Sequence, residues 1–317
     1  MDKTNKSIQK QDIEAVFQQI IALSLKNDAH FYLIYQSNDQ KTSLADLIAE
    51  KKLTLFRYIN YQIKHTPGLI ELDLKNEADQ TILKQSIQEF YLDIDPKTVL
   101  FAKPRSVYGW IYSVFNAEEL AQQLGIVAIQ PSNDGKQLLR YFDPSVLSPL
   151  LNIFIEGQRK ILFSAIHSWL YLNSDGHLII EKNFQNQCKN FVGHLGIINQ
   201  QWQQINWIES RNQALARYHF FHPEYSLPES EADCIIMQSF ENATLKGYHD
   251  KRDLAEYAYR SLVIHPEFIE HPIVIGAINQ HLHQSLIKQL QTITPQQWDI
   301  VADECIINTK EINNGLM

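Results

Sequence analysis

Apolar residues recur at Ile13, Val16, Phe17, Ile20, Ile21, Leu23 and Leu25, a spacing that predicts an amphipathic helix from Asp12 onward. The polar residues 1–10 before it predict a frayed start. "HFYLIYQS", residues 30–37, is a continuous apolar run of strand length and predicts a buried strand. "SLADLIAEKK" predicts a short helix, with Ser43 as N-cap and Leu44, Leu47 and Ile48 on one face. "GLIELDL" alternates after the breaker pair Pro67–Gly68 and predicts a strand. "EADQTILKQSIQEFYLDI" predicts a helix, and "TVLFAK" and "GWIYSVF" short strands. "NAEELAQQLG" predicts a helix with Asn116 as N-cap, acidic residues in the first turn and Gly125 at the C′ position.

"IVAIQPSNDGKQLLRYF" predicts a hairpin or short meander turning through residues 131–135. A long helix is predicted over residues 144–166, interrupted near Gly157. "SWLYLNSDGHLIIEKN" predicts a second hairpin with its turn at residues 173–176. Interleaved strands and helices imply a sheet with helices packed on it, and the hairpins imply that the sheet is mixed. After residue 183 strand patterns stop. Five stretches then read as helices, among them "GIINQQWQQINWIESRNQALARYHFF" and "HPIVIGAINQHLHQSLIKQL", with Pro228 and Pro295 suited to N1 positions. The expectation is therefore an α+β chain: an α/β lobe over residues 1–183, a helical lobe over 184–307, and a disordered tail over 308–317. No repeat of 20 to 50 residues is visible.

Length and composition add bounds. The chain has 317 residues, of which 44% are apolar and 11% aromatic, enough for one large core or two ordinary ones. A formal net charge of −8 disfavours nucleic acid and anionic membranes as partners. Cys188, Cys234 and Cys305 are odd in number and widely spaced, which suits unpaired thiols in a reducing compartment. No secretory signal and no apolar run of membrane-spanning length is visible, so a cytoplasmic location is expected.

Signatures for nucleotide binding, serine hydrolysis and zinc proteolysis are absent from the sequence. Asp93 and Asp95 in "YLDIDP" would share a side if extended and could hold a hard cation; the plainer reading is a polar edge before Pro96. His219 and His222, with Glu224 beyond, have i, i+3 spacing suited to zinc, but further ligands are not evident. His281 and His283 would diverge on a helix, and Cys188 with His194 cannot be joined by spacing. These sets leave a metal-dependent hydrolase or transferase as the rival functional class. Trp202, Trp207, Tyr218, Phe220 and Phe221 form a dense aromatic group, either a partner-binding surface or the helical lobe's own core.

"QLLRYFDPSVLSPLL" carries an arginine and an aspartate in an apolar run. Read as a strand, residues 138–142 put Leu138, Arg140 and Phe142 on one face and Leu139 and Tyr141 on the other. Arg140 would then be buried and need a partner, with Glu71, Asp73 or a bound anion as candidates. Asp143 before Pro144 predicts a helix cap, accepting from the N–H of Ser145 or Val146 and facing away from Arg140.

The run "YGWIYSVFNAEELAQQLGIVAIQPSNDGKQLLRYFDPSVLSPLL" resembles the hallmark segment of the type VI secretion effector-chaperone (adaptor) family, first catalogued as a domain of unknown function. The family pattern is a glycine-plus-hydrophobic strand, here with Gly109 and Trp110, then an Asn- or Ser-capped "EL…L" helix. A strand reading roughly "LRFYDP" follows, here with Arg140, Asp143 and Pro144, and then a hydrophobic helix. "HFYLIYQS", "HTPGLIEL" and "GYHDKRDLAEYAYRSLVIHPEFIEHP" are similar to further family segments, and the resemblance spans roughly residues 30–170. "YQSND" and "AQQLGI" depart from the family's acidic/small motif and its arginines. The resemblance implies a non-enzymatic cytoplasmic protein without cofactors. Its partners would be a cognate secreted effector and the valine–glycine-repeat spike protein (VgrG).

Overall fold

The computed structural model describes residues 12–24, 29–38, 42–58, 65–183, 193–224 and 226–314, with side chains up to residue 305. The chain divides into two compact units, residues 9–205 and 206–317. The boundary at 205/206 lies later than the 183/184 position where composition changes.

The first unit begins with α1 (Ile13–Ser24), β1 (His30–Tyr35), α2 (Ser43–Leu47), β2 (Thr54–Leu55) and β3 (Gly68–Glu71). Thr42, not Ser43, caps α2, because its hydroxyl accepts from the Ala45 N–H. Next come α3 (Glu77–Asp93), α4 (Pro96–Leu100) and β4 (Val107–Ser113). The strand expected at "TVLFAK" is replaced by helix α4. Asp95 caps it by accepting from the Lys97 N–H, and Pro96 presets the first turn, so capping overrides β-propensity.

Then follow α5 (Ala117–Ala128), β5 (Ile129–Ser132), β6 (Gly135–Leu138), α6 (Pro144–Ile153), α7 (Glu156–Leu162), β7 (Ser168–Leu172) and β8 (Leu178–Lys182). Asn116 and Glu119 form a reciprocal capping box at the start of α5. Gly125 is not a C′ residue; it lies inside α5, where a Cβ would sit 2.2 Å from the Arg57 carbonyl oxygen. The predicted long helix is two helices, split at Phe154 and Ile155, where the Gln158 side chain accepts from the Ile155 N–H and starts α7.

Six strands form one sheet in the order β2-β3-β1-β4-β7-β8, with β5 and β6 a separate hairpin. Every pair in the sheet is antiparallel, not mixed as expected. The chain crosses from β3 to β4 through α3, and those two strands run the same way. β1 lies between them and opposes both.

β4 and β7 are buried along their whole length, so both faces of the sheet's centre are covered. On one face Trp110 packs on Phe90 of α3 and donates its Nε1–H to Ser86 Oγ at 2.9 Å. On the other, Trp169 meets Tyr141 and Phe163, and the Tyr141 hydroxyl donates to the Leu124 carbonyl of α5.

The second unit is helical. α8 (Asn199–Phe221) leads into it, followed by α9 (Glu229–Leu245), α10 (Lys251–Val263), a 3₁₀ turn Phe268–Glu270, α11 (Pro272–Gln280), α12 (Leu286–Leu290) and α13 (Pro295–Asn314). Pro228 is the N-cap of α9 and not N1, while Pro295 is the first residue of α13. "HPIVIGAINQHLHQSLIKQL" is two helices, with His281 and His283 in the turn between them. Phe240, Tyr257, Phe268, Val274, Leu286 and Val301 form the core of this unit. The helical backbone of α13 reaches Asn314, into the stretch expected to be a disordered tail.

Candidate functional site

β4 carries an irregularity that organises the family-like residues. Ile34 of β1 pairs with Gly109, but Tyr35 pairs with Val107, so Tyr108 is the extra residue of a β-bulge. Gly109 has φ +128°, a left-handed conformation that glycine adopts readily. The bulge breaks the two-residue alternation. Trp110 faces Phe90, whereas Tyr108 packs edge-on against Phe142 at 5.6 Å.

Tyr108 thereby joins a polar cluster around Asp143. Asp143 caps α6 as expected, its Oδ1 accepting from the Ser145 N–H at 3.0 Å and the Ser145 hydroxyl at 2.7 Å. The same oxygen accepts from Arg105 Nη1 at 3.0 Å, an arginine that the sequence reading missed. Arg105 sits 38 residues away in sequence, and no local spacing could have revealed it.

Arg140 corrects the expectation most. The strand ends at Leu138, and residues 140–143 form a turn closed by the Asp143 N–H donating to the Arg140 carbonyl. Arg140 is therefore exposed, not buried, and it faces Asp143 at 3.5 Å instead of pointing away from it. Glu71 pairs with His30, and Asp73 accepts from the Lys75 N–H, so neither candidate partner is taken up by Arg140. Arg140 Nη2 also approaches the Tyr108 hydroxyl at 3.4 Å, and Tyr108 donates its own proton to Gln36.

Asp93 and Asp95 do not form a cation pair. Asp95 is spent on the cap of α4, and Asp93 is buried at the end of α3, one oxygen accepting from the Ser106 and Val107 N–H groups at 2.9 Å each. Burial pushes the Asp93 carboxyl up to about 6, against the opposing pull of those two amides and Arg105. Because the folded value lies above the unfolded one, the folded state binds the proton more tightly. The resulting stabilisation is full below pH 4 and is lost as pH rises through 6. The unfolding free energy of the natural protein minus that of Asp93→Asn should accordingly fall by about 2 kcal/mol between pH 4 and pH 7 in urea titrations. A difference that stays flat over that range would contradict the assignment.

The remaining candidates separate in the same way. His219 is buried at the end of α8, and His222 Nε2 lies 3.2 Å from the Tyr259 hydroxyl. Among the described residues, no group of three or more His, Cys, Asp or Glu side chains is placed to hold a metal ion. Cys188 lies outside the described residues. Trp207 and Tyr218 belong to the helical core, and Trp202 is half-buried. Phe220 and Phe221 are exposed at 37% and 56% and pack edge-on against each other.

No protein-family model, curated protein or solved structure matches the chain. No helix among the described residues is long and apolar enough to cross a membrane.

Proposed function

We propose that this protein is a non-enzymatic adaptor of the type VI secretion effector-chaperone kind. It binds a cognate effector in the cytoplasm and promotes its loading onto the valine–glycine-repeat spike. The observation that carries this reading is how the family-like segment is built. Gly109 serves a bulge that admits little but glycine, Asn116 and Glu119 a capping box, and Asp143–Pro144 a helix start that also anchors Arg105. Gly109, Asn116, Asp143 and Pro144 of the family-like segment thus each serve its local geometry, while Arg140 is exposed.

A second feature supports a protein partner. Residues 206–317 hold fifteen acidic and eight basic residues, and so carry seven of the chain's eight net negative charges. Phe220 and Phe221 are exposed within that acidic unit. An apolar pair in an acidic setting suits a basic, amphipathic effector segment. On this reading the helical unit faces the effector and the α/β unit the spike.

Co-expression with candidate effector and spike proteins from the same genome, followed by affinity purification, tests the proposal. The chain should retain both. Phe221→Asp should weaken effector capture by about tenfold or more while leaving the circular dichroism spectrum unchanged. Monodisperse protein that retains neither partner sinks the proposal.

A further inference from the structure

The helical unit is acidic as a whole, but its charge reverses where α8 and α10 meet beside Phe221. Glu256 of α10 is buried and holds two arginines at once. Arg217 of α8 donates from Nη1 to its Oε2 at 2.7 Å, and Arg260, one turn further along α10, donates from Nε to its Oε1 at 2.8 Å. Burial by itself would raise the Glu256 carboxyl, but hydrogen bonds and charge from the two arginines hold it below the usual carboxylate range. Glu256 is therefore ionised, and two guanidinium groups on one carboxylate leave one positive charge in excess. Earlier on the same two helices, Glu209 and Lys251 form an ion pair and cancel each other.

Each arginine is also held by an aromatic ring. The Arg217 guanidinium lies 4.0 Å from the centroid of Tyr259, and that of Arg260 lies 4.5 Å from the centroid of Trp298. The rings cover guanidinium faces and leave N–H edges. Among the described residues, Arg217 Nε and Nη2 and Arg260 Nη1 and Nη2 donate to nothing. The two side chains are 29% and 24% exposed, so solvent reaches both. One arginine would neutralise Glu256, and the second is a partly buried cation that the fold leaves uncompensated. An apolar surface adjoins it. Phe220 and Phe221 follow Arg217 by three and four residues on α8, which makes both its neighbours on the helix surface, and both are exposed. His222, the next residue, lies 3.2 Å from the Tyr259 hydroxyl, so the end of α8 reaches the ring that Arg217 covers.

From this arrangement we infer that Arg217 and Arg260 dock a single carboxylate of the partner segment, beside an apolar residue of that segment that packs on Phe221. The N–H edge of a guanidinium matches a carboxylate. One excess positive charge is balanced by a monoanion, whereas a dianion such as phosphate is repelled by Glu256 and by a unit carrying seven net negative charges. The carboxylate belongs to an Asp or Glu side chain or to a chain end. Elsewhere the segment remains basic, because the surface around the arginine pair is acidic. The inference rests on the adaptor reading only for naming the effector as the source of the segment.

The test uses the full chain labelled with ¹⁵N-arginine, following the Nε–H resonances that disappear in Arg217→Lys and in Arg260→Lys. Acetyl-Leu-Leu-Glu-amide and acetyl-Leu-Leu with a free C-terminus should shift both resonances saturably, and acetyl-Leu-Leu-Gln-amide should not. Tighter binding of the first peptide places the carboxylate on a side chain, and tighter binding of the second places it at a chain end. Arg217→Gln and Arg260→Gln should each weaken binding about tenfold. Either variant leaves Glu256 one arginine, so the fold keeps a neutral pair there. Phe221→Ala should weaken the peptides about three- to tenfold and leave sodium acetate binding unchanged. Adding Glu256→Gln to Arg260→Gln restores the excess charge and should recover part of the lost affinity, where a purely structural role predicts a further loss. The inference is overturned if neither carboxylate peptide gives a saturable shift, if the glutamine peptide binds as well, if inorganic phosphate binds more tightly than acetate, or if both arginine variants bind like the natural protein. Effector capture without carboxylate binding would refute this inference and leave the adaptor reading standing; carboxylate binding without effector capture would do the reverse.

Discussion

Replacing Gly109 by alanine is expected to destabilise the α/β unit by about 4 kcal/mol or more. Two effects add. The backbone at φ +128° is one that residues with a Cβ rarely adopt, and holding them there costs roughly 1–3 kcal/mol. An added Cβ would also lie 2.5 Å from the Leu170 carbonyl oxygen, with Trp169 Nε1 and Tyr171 Cβ at 3.3 Å. That oxygen belongs to β7, and Trp110 pairs with Leu170 in the sheet, so it cannot move without opening the β4–β7 ladder. Gly135 supplies the comparison. It has φ +109° but nothing within 4 Å of an added Cβ, so Gly135→Ala should cost about 1 kcal/mol, from backbone strain alone. Differential scanning calorimetry can separate the two variants. A Gly109→Ala loss no greater than the Gly135→Ala loss would mean that the bulge does not constrain this position.

The second large effect is expected at Arg211. Its side chain is 4% exposed, donates through Nε and Nη2 to both oxygens of Asp233 at 2.7 and 2.8 Å, and also pairs with Glu229. Burial opposes the guanidinium charge, but the two carboxylates overcome that and push its pKa up. Arg211 is on α8, and its partners are on α9. Arg211→Met leaves two largely buried carboxylates without their cation and should cost about 3–5 kcal/mol. Adding Glu229→Gln and Asp233→Asn should recover most of that loss, because the penalty arises from uncompensated charge and not from lost packing. Urea unfolding followed by tryptophan fluorescence reports both outcomes. A triple variant as unstable as Arg211→Met would shift the explanation to packing.

Legibility varied with the range of the interaction. The α5 capping box and the Asp143–Pro144 helix start could be read directly, since their partners lie within three residues. Both hairpins were legible because their turn residues are local too. "TVLFAK" was misread because a cap three residues upstream outweighed the β-branched pattern. Arg140 was misplaced because the strand stops at Leu138 instead of running to residue 142, and the turn at residues 140–143 reversed both its exposure and its relation to Asp143.

Within the aromatic group, Trp207 and Tyr218 fall at core positions of α8 while Phe220 and Phe221 do not. Residue type alone could not sort them, since the outcome depends on where the neighbouring helices pack.

By itself, the sequence determined the α+β class, the positions of most helices and hairpins, and the caps at Asn116 and Asp143, because these follow from contacts within a turn or two of the chain. Only the tertiary structure decided that the sheet is antiparallel throughout, that Gly109 serves a bulge and Gly125 a close approach by Arg57, and that Arg105 shares Asp143 with an exposed Arg140. Each of these depends on which distant backbone or side chain arrives at a position, and the spacing of residues along the chain carries no record of that.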